Sequence, residues 1–409
     1  MRMLISFAAL FLSVVLLQLS SGGVAPLDAL SGITLDFSTS QIGLLGSAHF
    51  VGFFIGCWWA PRLIGSIGHS RAFAVFTAAG AIGLLAHMLV IDPYAWAAMR
   101  VASGACVAGC YTVIEAWLQA KVTNETRGRT MGIYRVMDMG GSLVAQTMIS
   151  VLEPASYVSY NILAILCCAS LLPLTLTKVQ QPTTPKAPRL HPLLAWRISP
   201  LATMAVVVAA LSSATFRMVG PLYGERIGLS FTEIAWFLSA FVLGGAIAQY
   251  PTGWLADKFD RRRVMIWLSI AAIICSLVTV MVNSMEPSVV FFLIFLFGAT
   301  AFPIYSVAAA HANDFATEEQ RVELSAALMF FYAVGAIAAP LAASKLIEVF
   351  GPSAMFVMIA CAHGALIAFS WTRMLARPTS DKRTRYIWAP RTSFTIGRLT
   401  KDERSKKET

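Results

Sequence analysis

Long apolar runs, each close to the length of a membrane-spanning helix, follow one another along almost the whole chain. A helix rises about 1.5 Å per residue, so roughly 20 apolar residues cross the hydrocarbon core of a bilayer. Because each run has about this length, the pattern predicts an all-α integral membrane protein with twelve transmembrane helices. The runs cover about residues 4–31, 41–64, 71–91, 95–120, 129–151, 156–177, 200–223, 233–256, 264–284, 288–312, 322–347 and 353–376.

The composition excludes several other classes of protein. Of the 409 residues, 57% are hydrophobic and 13% are charged, whereas a soluble domain is typically about 25% charged. The seven cysteines all lie inside apolar runs, so they form neither a disulfide framework nor the Cys/His spacing of a metal site. We therefore expect no soluble enzyme, no secreted disulfide scaffold, no metal and no cofactor.

The positions of the basic residues predict the orientation of the chain and argue against nucleic acid as a partner. The formal net charge is +10, but Lys and Arg lie between the apolar runs and near the C-terminus. With the N-terminus inside, all 31 of them are cytoplasmic except Arg100, Arg135, Arg217, Arg226 and Lys345. Because cytoplasmic loops carry the excess of Lys and Arg, both termini are predicted to be cytoplasmic.

The two halves of the chain resemble each other at a shift of 192–195 residues. Six helices per copy is an even number, so both copies start on the same side of the membrane. The sequence thus predicts two pseudo-symmetric six-helix bundles, related by an axis along the membrane normal. The recurring pairs include Ile42 with Ile234, Ser47 with Ser239, Gly52 with Gly244, Gly104 with Gly298, Tyr111 with Tyr305 and Gly140 with Gly335.

Polar stretches divide the chain into four predicted parts. Residues 1–178 form the N-terminal six-helix bundle, and residues 199–376 form the C-terminal one. The Pro-rich, basic stretch 179–198 is predicted to be a cytoplasmic linker. Residues 377–409 are a basic cytoplasmic tail, which is either disordered or drawn to anionic lipid head groups with Trp388 as an anchor.

A charged motif follows the eighth predicted helix. Residues 253–263 read GWLADKFDRRR and resemble the signature cytoplasmic loop of the major facilitator superfamily, G-x3-D-[RK]-x-G-[RK]-[RK], with Asp260 in place of the second glycine. Its glycine allows a close approach of helices, and Asp257 can face the positive N-terminus of a neighbouring helix. The motif is either a cytoplasmic gate or a basic loop that only sets topology. The gate residues would be Gly253, Asp257, Lys258, Arg261 and Arg262.

Within that superfamily the chain is most similar to the bacterial YcaD-like branch. Residues 249–253 (QYPTG), 301–305 (AFPIY) and 127–146 carry this resemblance. It implies a monomeric, multi-pass transporter of the bacterial inner membrane, in which two halves rock about a central small-molecule site. The fifth helix lacks the G-P-x-x-G-G element of the drug/proton antiporter branch, which argues against multidrug efflux.

Ionisable side chains inside the apolar runs are candidates for function, because each is costly to place in hydrocarbon. Helical periodicity predicts two polar faces that line a central cavity. Arg135 and Asp138 form either a structural pair or a site where a ligand carboxylate competes for the arginine. Glu115 is either a gate partner of a loop arginine or a proton site. The two faces contain Arg100, Tyr111 and Glu115 on the fourth helix, and Arg135, Asp138, Ser142 and Gln146 on the fifth.

Arg217 is unusual, because the first half has Gly22 at the equivalent position. It is predicted to bind an anionic substrate, to meet Asp28 as an outer gate, or to extend its guanidinium toward the membrane interface. Gln146 is assigned to substrate binding with it, and Tyr111, Tyr305 and Tyr332 either stack on a planar solute or pack in the core. The proton-coupling candidates are Glu115, Asp138, Asp28, His49 and Arg100.

We predict that the chain is a secondary active transporter of a small organic solute. The three intramembrane arginines favour an anionic or zwitterionic metabolite taken up with protons. The alternative is proton-coupled efflux of a toxic or lipophilic compound. A membrane enzyme is disfavoured because the sequence contains neither H-E-x-x-H nor a P-loop, and a sensor is disfavoured because the tail is small for an output domain.

Overall fold

The computed structural model describes residues 2–122, 126–176, 190–282, 286–376 and 383–400. Within these ranges the chain forms sixteen α-helices and no β-strand, which confirms the all-α class. The expected linker lies mostly outside the described residues, and so do both ends of the expected tail.

The helices follow one another through short connections. The first eight are α1 (Arg2–Thr34), α2 (Thr39–Ile67), α3 (His69–Ala86), α4 (Pro93–Lys121), α5 (Arg127–Met148), α6 (Tyr157–Ala169), α7 (Leu171–Thr175) and α8 (Pro192–Ile198). The others are α9 (Pro200–Arg226), α10 (Phe231–Lys258), α11 (Arg261–Met281), α12 (Pro287–Ala301), α13 (Pro303–Asn313), α14 (Arg321–Phe350), α15 (Ala354–Ala376) and α16 (Gly397–Thr400). α6 with α7, and α12 with α13, each form one segment long enough to cross a membrane.

Eleven helical segments in the described ranges are long and apolar enough to cross a membrane. The twelfth predicted span corresponds to α5, whose 22 residues extend over about 33 Å. α5 packs against α1 and α10, and its Arg127, Arg129, Arg135 and Asp138 make it less apolar than the others. That α5 crosses the membrane as the twelfth span therefore stays a prediction.

The same cap begins the second helix of each half. At the start of α2, the Ser38 hydroxyl accepts a hydrogen bond from the Gln41 backbone N–H (3.2 Å), and the Gln41 side chain accepts one from the Ser38 N–H (2.8 Å). Ser230 and Glu233 form the equivalent pair at the start of α10. Such a capping box satisfies N–H groups that a helix start otherwise leaves unpaired. Its recurrence supports the internal repeat.

Glycines hold α2 against α4 and α10 against α12. A Cβ on Gly104 would lie 2.1 Å from the His49 carbonyl oxygen, and a Cβ on Gly298 would lie 2.1 Å from the Phe241 carbonyl oxygen. Side-chain carbons do not approach backbone that closely, so only glycine permits these crossings. Because both pairs are equivalent under the repeat predicted from the sequence, the two halves are built by the same contacts.

The two halves meet tightly at one end of the bundle. This closed end consists of residues 39–47 of α2 and 340–348 of α14, and the two helices pack against each other. A Cβ on Gly43 would lie 1.8 Å from the Ser344 hydroxyl oxygen, so the backbones approach closely here. Any opening at this end must separate these two helices.

Residues 383–400 enter between the halves from the other end of the bundle. The stretch 392–397 is buried, and Ser393 has no exposed surface. The expectation of a disordered or lipid-bound tail is wrong for these residues, because their side chains find partners inside the protein. Trp388, expected as a membrane anchor, instead stacks on Arg135, with the guanidinium carbon 4.8 Å from the ring centre.

Candidate functional site

A cavity lies between the two halves, and both of them supply its walls. α1, α2, α4 and α5 form one wall, while α9, α14 and the tail form the other. Its volume is about 110 Å³ with the tail in place. Of the residues predicted to bind substrate or protons, it brings together His49, Tyr111, Arg135, Asp138, Arg217 and Tyr332.

Three side chains donate hydrogen bonds to the carboxylate of Asp138. Arg135 Nη1 lies 2.8 Å from Oδ2, and Oδ1 accepts from the Tyr111 hydroxyl and the Gln18 amide, both at 2.7 Å. The Arg135–Asp138 pair is the one that the spacing of three residues predicted. Gln18 was not identified from the sequence as a site residue. The signal that could have revealed it was a polar amide side chain inside the first apolar run. Because the carboxylate is buried, these donors replace the water it has lost.

Arg217 of α9 lines the same cavity without a partner. In the part of the chain that the structure describes, its guanidinium makes no hydrogen bond and no ion pair. The hypothetical outer gate between Arg217 and Asp28 is not formed, because Asp28 pairs with Arg100 instead. Asp138, the acid in the lining of this cavity, already pairs with Arg135, so the lining carries an excess of positive charge.

A second buried polar cluster surrounds Asp28, beneath the closed end. The Tyr160 hydroxyl donates to Oδ1 at 2.9 Å, Arg100 Nε lies 3.3 Å from Oδ2, and His87 Nε2 lies 3.7 Å from that same oxygen. The His87 ring stacks on the Tyr160 ring with centroids 5.0 Å apart. Asp28 and Arg100 were both predicted to couple protons, and the structure brings them together. His87 and Tyr160 were missed, because single His and Tyr residues in apolar runs usually just pack.

Glu115 of α4 is buried beside the tail. Its carboxylate accepts hydrogen bonds from the Tyr134 hydroxyl at 3.2 Å and from the hydroxyls of Thr392 and Ser393. Across the described ranges Glu115 has no ion pair with an arginine, so the expected gate pair is not formed. Of these three hydrogen bonds, two come from the tail, and without it Glu115 would keep only the one from Tyr134.

Arg391 of the tail lies among three aromatic rings. Its guanidinium carbon is 4.9 Å from the ring centre of Phe302, 5.2 Å from that of Tyr332 and 5.7 Å from that of Tyr305. The two tyrosines, for which the sequence left stacking on a solute and packing in the core open, meet edge to face with centroids 5.6 Å apart. Phe302 was missed, since nothing in the sequence places it beside them. Such an arrangement attracts cations through the negative faces of the rings.

The charged motif at 253–263 contacts the tail. Asp257 Oδ1 accepts from Arg261 Nη2 at 3.2 Å and from the Tyr386 backbone N–H at 2.8 Å. A Cβ on Gly253 would lie 2.6 Å from the Tyr386 ring, so this glycine makes room for the tail and not, as expected, for a neighbouring helix. Asp257 likewise faces the Tyr386 backbone rather than a helix N-terminus. In this conformation the motif holds the tail.

Arg261 joins the motif to the segment after α13 and to the tail. Its Nη1 lies 2.6 Å from Asp314 Oδ1, and the guanidinium also donates to Thr384. The backbone N–H of Thr384 donates to the same Asp314 oxygen at 2.8 Å. Burial raises the pKa of the Asp314 carboxyl, and the neighbouring Arg261 opposes that shift. Asp314 thus joins the tail to the motif, in addition to the bond between Asp257 and the Tyr386 N–H.

The remaining residues of the motif make local contacts. Arg262 Nη2 lies 2.8 Å from Asp260 Oδ2, and Asp260 also caps α11. The Lys258 ammonium lies over the Trp254 ring, 4.8 Å from its centre. These contacts hold the connection between α10 and α11 in shape, so that Asp257 and Arg261 face the tail.

His49 and Gln146 differ in their relation to the cavity. His49 lines it, and its buried Nδ1 has no hydrogen-bond partner among the described residues. Gln146 does not line it, contrary to expectation. Its amide instead donates to the Gly22 carbonyl oxygen at 3.1 Å, so it joins α5 to α1.

The cavity contains protein side chains of three kinds, which are charged, aromatic and hydrogen-bonding. Within the described ranges, no group of three or more His, Cys, Asp and Glu side chains could hold a metal ion. All seven cysteines are free thiols, and five of them are buried. The side chains that line the cavity can form ion pairs, hydrogen bonds and ring contacts.

Comparison with known sequences relates nearly the whole chain to one family. The sequence model of the Major Facilitator Superfamily matches residues 10–230 and 202–403. The MFS-type transporter YcaD of Escherichia fergusonii is 26% identical over 341 residues, which cover 83% of this chain and 87% of YcaD. Its counterpart from Escherichia coli is 28% identical over 342 residues, with the same coverage.

Solved structures show the same fold. The nucleoside transporter NupG has a TM-score of 0.73 at 15% identity, and the match covers 90% of this chain and 98% of NupG. A bacterial homologue of the human lysosomal transporter Spinster, in an inward-facing and occupied conformation, has a TM-score of 0.67 at 15% identity, covering 99% of this chain and 97% of the homologue. At these identities the likeness concerns the arrangement of helices.

Proposed function

The chain belongs to the major facilitator superfamily and is a membrane transporter rather than an enzyme, and from this premise we propose that it carries a small anionic or zwitterionic organic solute by proton-coupled uptake. The two halves rock about the central cavity, so that the cavity opens to one side of the membrane at a time. The charges in the cavity and the closure at one end of the bundle support this proposal.

The unpaired guanidinium of Arg217 is the observation that carries the choice of solute. The lining of the cavity contains three arginines, Arg135, Arg217 and Arg391, and one acid, Asp138. Arg135 already pairs with that acid. Even when the tail and its Arg391 are set aside, one positive charge remains without a counter-ion. In a site shielded from water, such a charge strongly favours a solute that carries a carboxylate or another anion.

The packing of the two halves corresponds to one state of the transport cycle. The orientation predicted from Lys and Arg places the closed end outside and the tail in the cytoplasm. The conformation is then inward-facing, like that of the Spinster homologue it resembles. Outward opening separates α2 from α14 at the closed end, where Gly43 now touches Ser344.

Proton coupling is proposed to use the acid that shares the cavity with the solute. Asp138 holds Arg135 while it is ionised. Protonation removes this charge and frees Arg135 for the anionic group of the solute, so proton binding and solute binding favour each other. Asp28 with Arg100, together with Glu115 and His49, are further proton sites at other depths of the same half.

Thermal stability of the purified full-length protein, measured against metabolites grouped by charge, tests the choice of solute. A ligand at 100 times its Kd stabilises by about 2.7 kcal/mol. We expect stabilisation by carboxylates or zwitterions, and loss of most of it in Arg217→Ala. Arg71→Ala removes the same charge from an exposed position of α3 and serves as the matched control.

The opposite pattern would contradict the proposal. Stabilisation by lipophilic cations that is equal in wild type and Arg217→Ala would favour efflux through Asp138 or Glu115. For an anionic ligand whose stabilising effect is lost in Arg217→Ala, uptake into proteoliposomes is then measured with and without an inward proton gradient. This measurement gives the direction of transport and its coupling to protons.

A further inference from the structure

The tail fills the opening through which a solute would reach the cavity. Ser393 and Phe394 are 0% and 4% exposed, so this part of the tail is packed like core. The cavity left beside it measures about 110 Å³, whereas pockets that bind small molecules typically measure about 300–1,000 Å³. A solute of metabolite size therefore fits into this central cavity only after the tail has moved. A separate cavity of about 450 Å³, lined by Tyr305 and by tail residues, includes neither Arg217 nor Asp138 in its lining.

The tail presents one cationic group to a preformed set of rings. Phe302, Tyr305 and Tyr332, hereafter the aromatic triad, are buried and surround the Arg391 guanidinium at 4.9–5.7 Å. Its other contact is a hydrogen bond from Nη1 to the Ser213 hydroxyl at 3.3 Å. Among the residues that the structure describes, no carboxylate pairs with it. Rings and one hydroxyl thus hold a guanidinium that an acid would ordinarily hold.

Electrostatic repulsion within the cavity disfavours the Arg391 guanidinium. Arg217 lines the same cavity, and like charges in a shielded site repel each other. What retains the tail is its other contacts, including the Tyr386 N–H on Asp257 and its covalent attachment. A tethered segment has an effective concentration on the order of millimolar, so modest contacts keep it bound and a free solute can displace it.

We propose that the aromatic triad is the subsite for an ammonium or guanidinium group at the end of the solute remote from its anionic group, and that Arg391 occupies it as a tethered competitor. This rests on the proposed function and narrows it to a zwitterion, whose anionic end binds Arg217 while its cationic end binds the triad. Binding expels Arg391, and Thr392 and Ser393 then release Glu115. The solute thus displaces the tail, and the two do not bind together.

Hydrogen–deuterium exchange on the full-length protein in detergent measures the competition. The probes are arginine, which carries a guanidinium at the far end of its side chain from the carboxylate, and citrulline, which keeps the carboxylate and the ammonium beside it but ends in a neutral ureido group of nearly the same shape. We expect arginine to accelerate exchange of backbone amides in residues 386–396 by at least about fivefold at saturation, and citrulline to leave it unchanged. Equal effects of both compounds, or no effect of arginine, would overturn the proposal.

Two substitutions assign the effect to the triad. Arg391→Ala empties the subsite, so thermal stabilisation should need about tenfold less arginine than in wild type. Arg385→Ala, at an exposed tail position, should respond like wild type. Adding Tyr332→Leu to Arg391→Ala should raise the arginine requirement by about tenfold again. An arginine response of Arg391→Ala that matches wild type, or that survives Tyr332→Leu, would exclude the triad as the subsite.

Agmatine, which is arginine without its carboxylate, separates this proposal from the choice of an anionic or zwitterionic solute. If the triad binds the cationic end and Arg217 binds the anionic end, agmatine should bind the Arg391→Ala variant more weakly than arginine does. Adding Arg217→Ala to that variant should then remove the difference between the two compounds. If agmatine binds as well as arginine and Arg217→Ala changes neither, the triad stands and the anion site fails. If citrulline binds as well as arginine, the triad fails whatever Arg217 does.

Discussion

The ring of Tyr386 packs directly on Gly253, where a Cβ would lie 2.6 Å from the ring's Cδ1 atom. Tyr386 belongs to the tail, and Gly253 belongs to the charged motif that begins near the end of α10. The Tyr386 N–H also donates to Asp257 of that motif. A sequence motif that was predicted to be either a cytoplasmic gate or a loop that sets topology therefore serves, in this conformation, as a docking site for the chain's own tail.

Gly253→Ala should weaken this docking. Forcing a methyl group into a packed contact typically costs about 1–3 kcal/mol, and each 1.4 kcal/mol is tenfold in the population of the undocked tail. Exchange of amides in residues 386–396 should therefore accelerate by about tenfold. Gly364→Ala, a helical glycine with no atom within 4 Å of the added carbon, is the matched control. Equal exchange in both variants would mean that the tail does not rest on Gly253.

The Asp28–Arg100 pair should behave as a buried ion pair. Arg100→Met leaves an acid buried without its cation and should lower stability by about 3–5 kcal/mol. The double variant with Asp28→Asn should be less destabilised than Arg100→Met alone, since asparagine can still accept the hydrogen bond from Tyr160. Thermal unfolding in detergent measures both. If Arg100→Met costs no more than Arg71→Met at the surface, the pair is not a stabilising unit.

Two glycines that are equivalent under the repeat should respond differently to alanine. A Cβ on Gly335 would lie 2.7 Å from the Val207 carbonyl oxygen, whereas one on Gly140 would meet no atom within 4 Å. Gly335→Ala should destabilise by about 1–3 kcal/mol, while Gly140→Ala should be neutral or stabilise by up to about 1 kcal/mol. Thermal unfolding compares the two. A similar change in both would mean that the α9–α14 contact at Gly335 is looser than the structure shows.

Contacts that are local in sequence were predictable, and contacts with the tail were not. Arg135 and Asp138 are three residues apart, so helical geometry alone places them together. The crossings of α2 with α4 and of α10 with α12 lie at glycines that the sequence shows to recur between the halves. Glu115 and Ser393, in contrast, are separated by 278 residues. The tail has the polar, basic composition of a disordered segment, and its order comes from buried partners that no local pattern reveals.

Asp138→Asn should separate solute binding from proton coupling. Asparagine keeps the size of the side chain and its acceptor for Tyr111 and Gln18 but removes the charge that holds Arg135. Uptake into proteoliposomes, measured with a ligand found in the charge-sorted screen, should lose its stimulation by the proton gradient. The Kd of that ligand should no longer change with pH, whereas in wild type it should change by about 5- to 150-fold, the usual range of a coupling free energy. Solute exchange without a gradient should persist, because it needs no net proton movement. Glu286→Gln, which removes an exposed acid that makes no side-chain cap bond, should leave both unchanged. If Asp138→Asn keeps full gradient-driven uptake, the proton travels by another acid, and the Asp28–Arg100 cluster becomes the next site to neutralise.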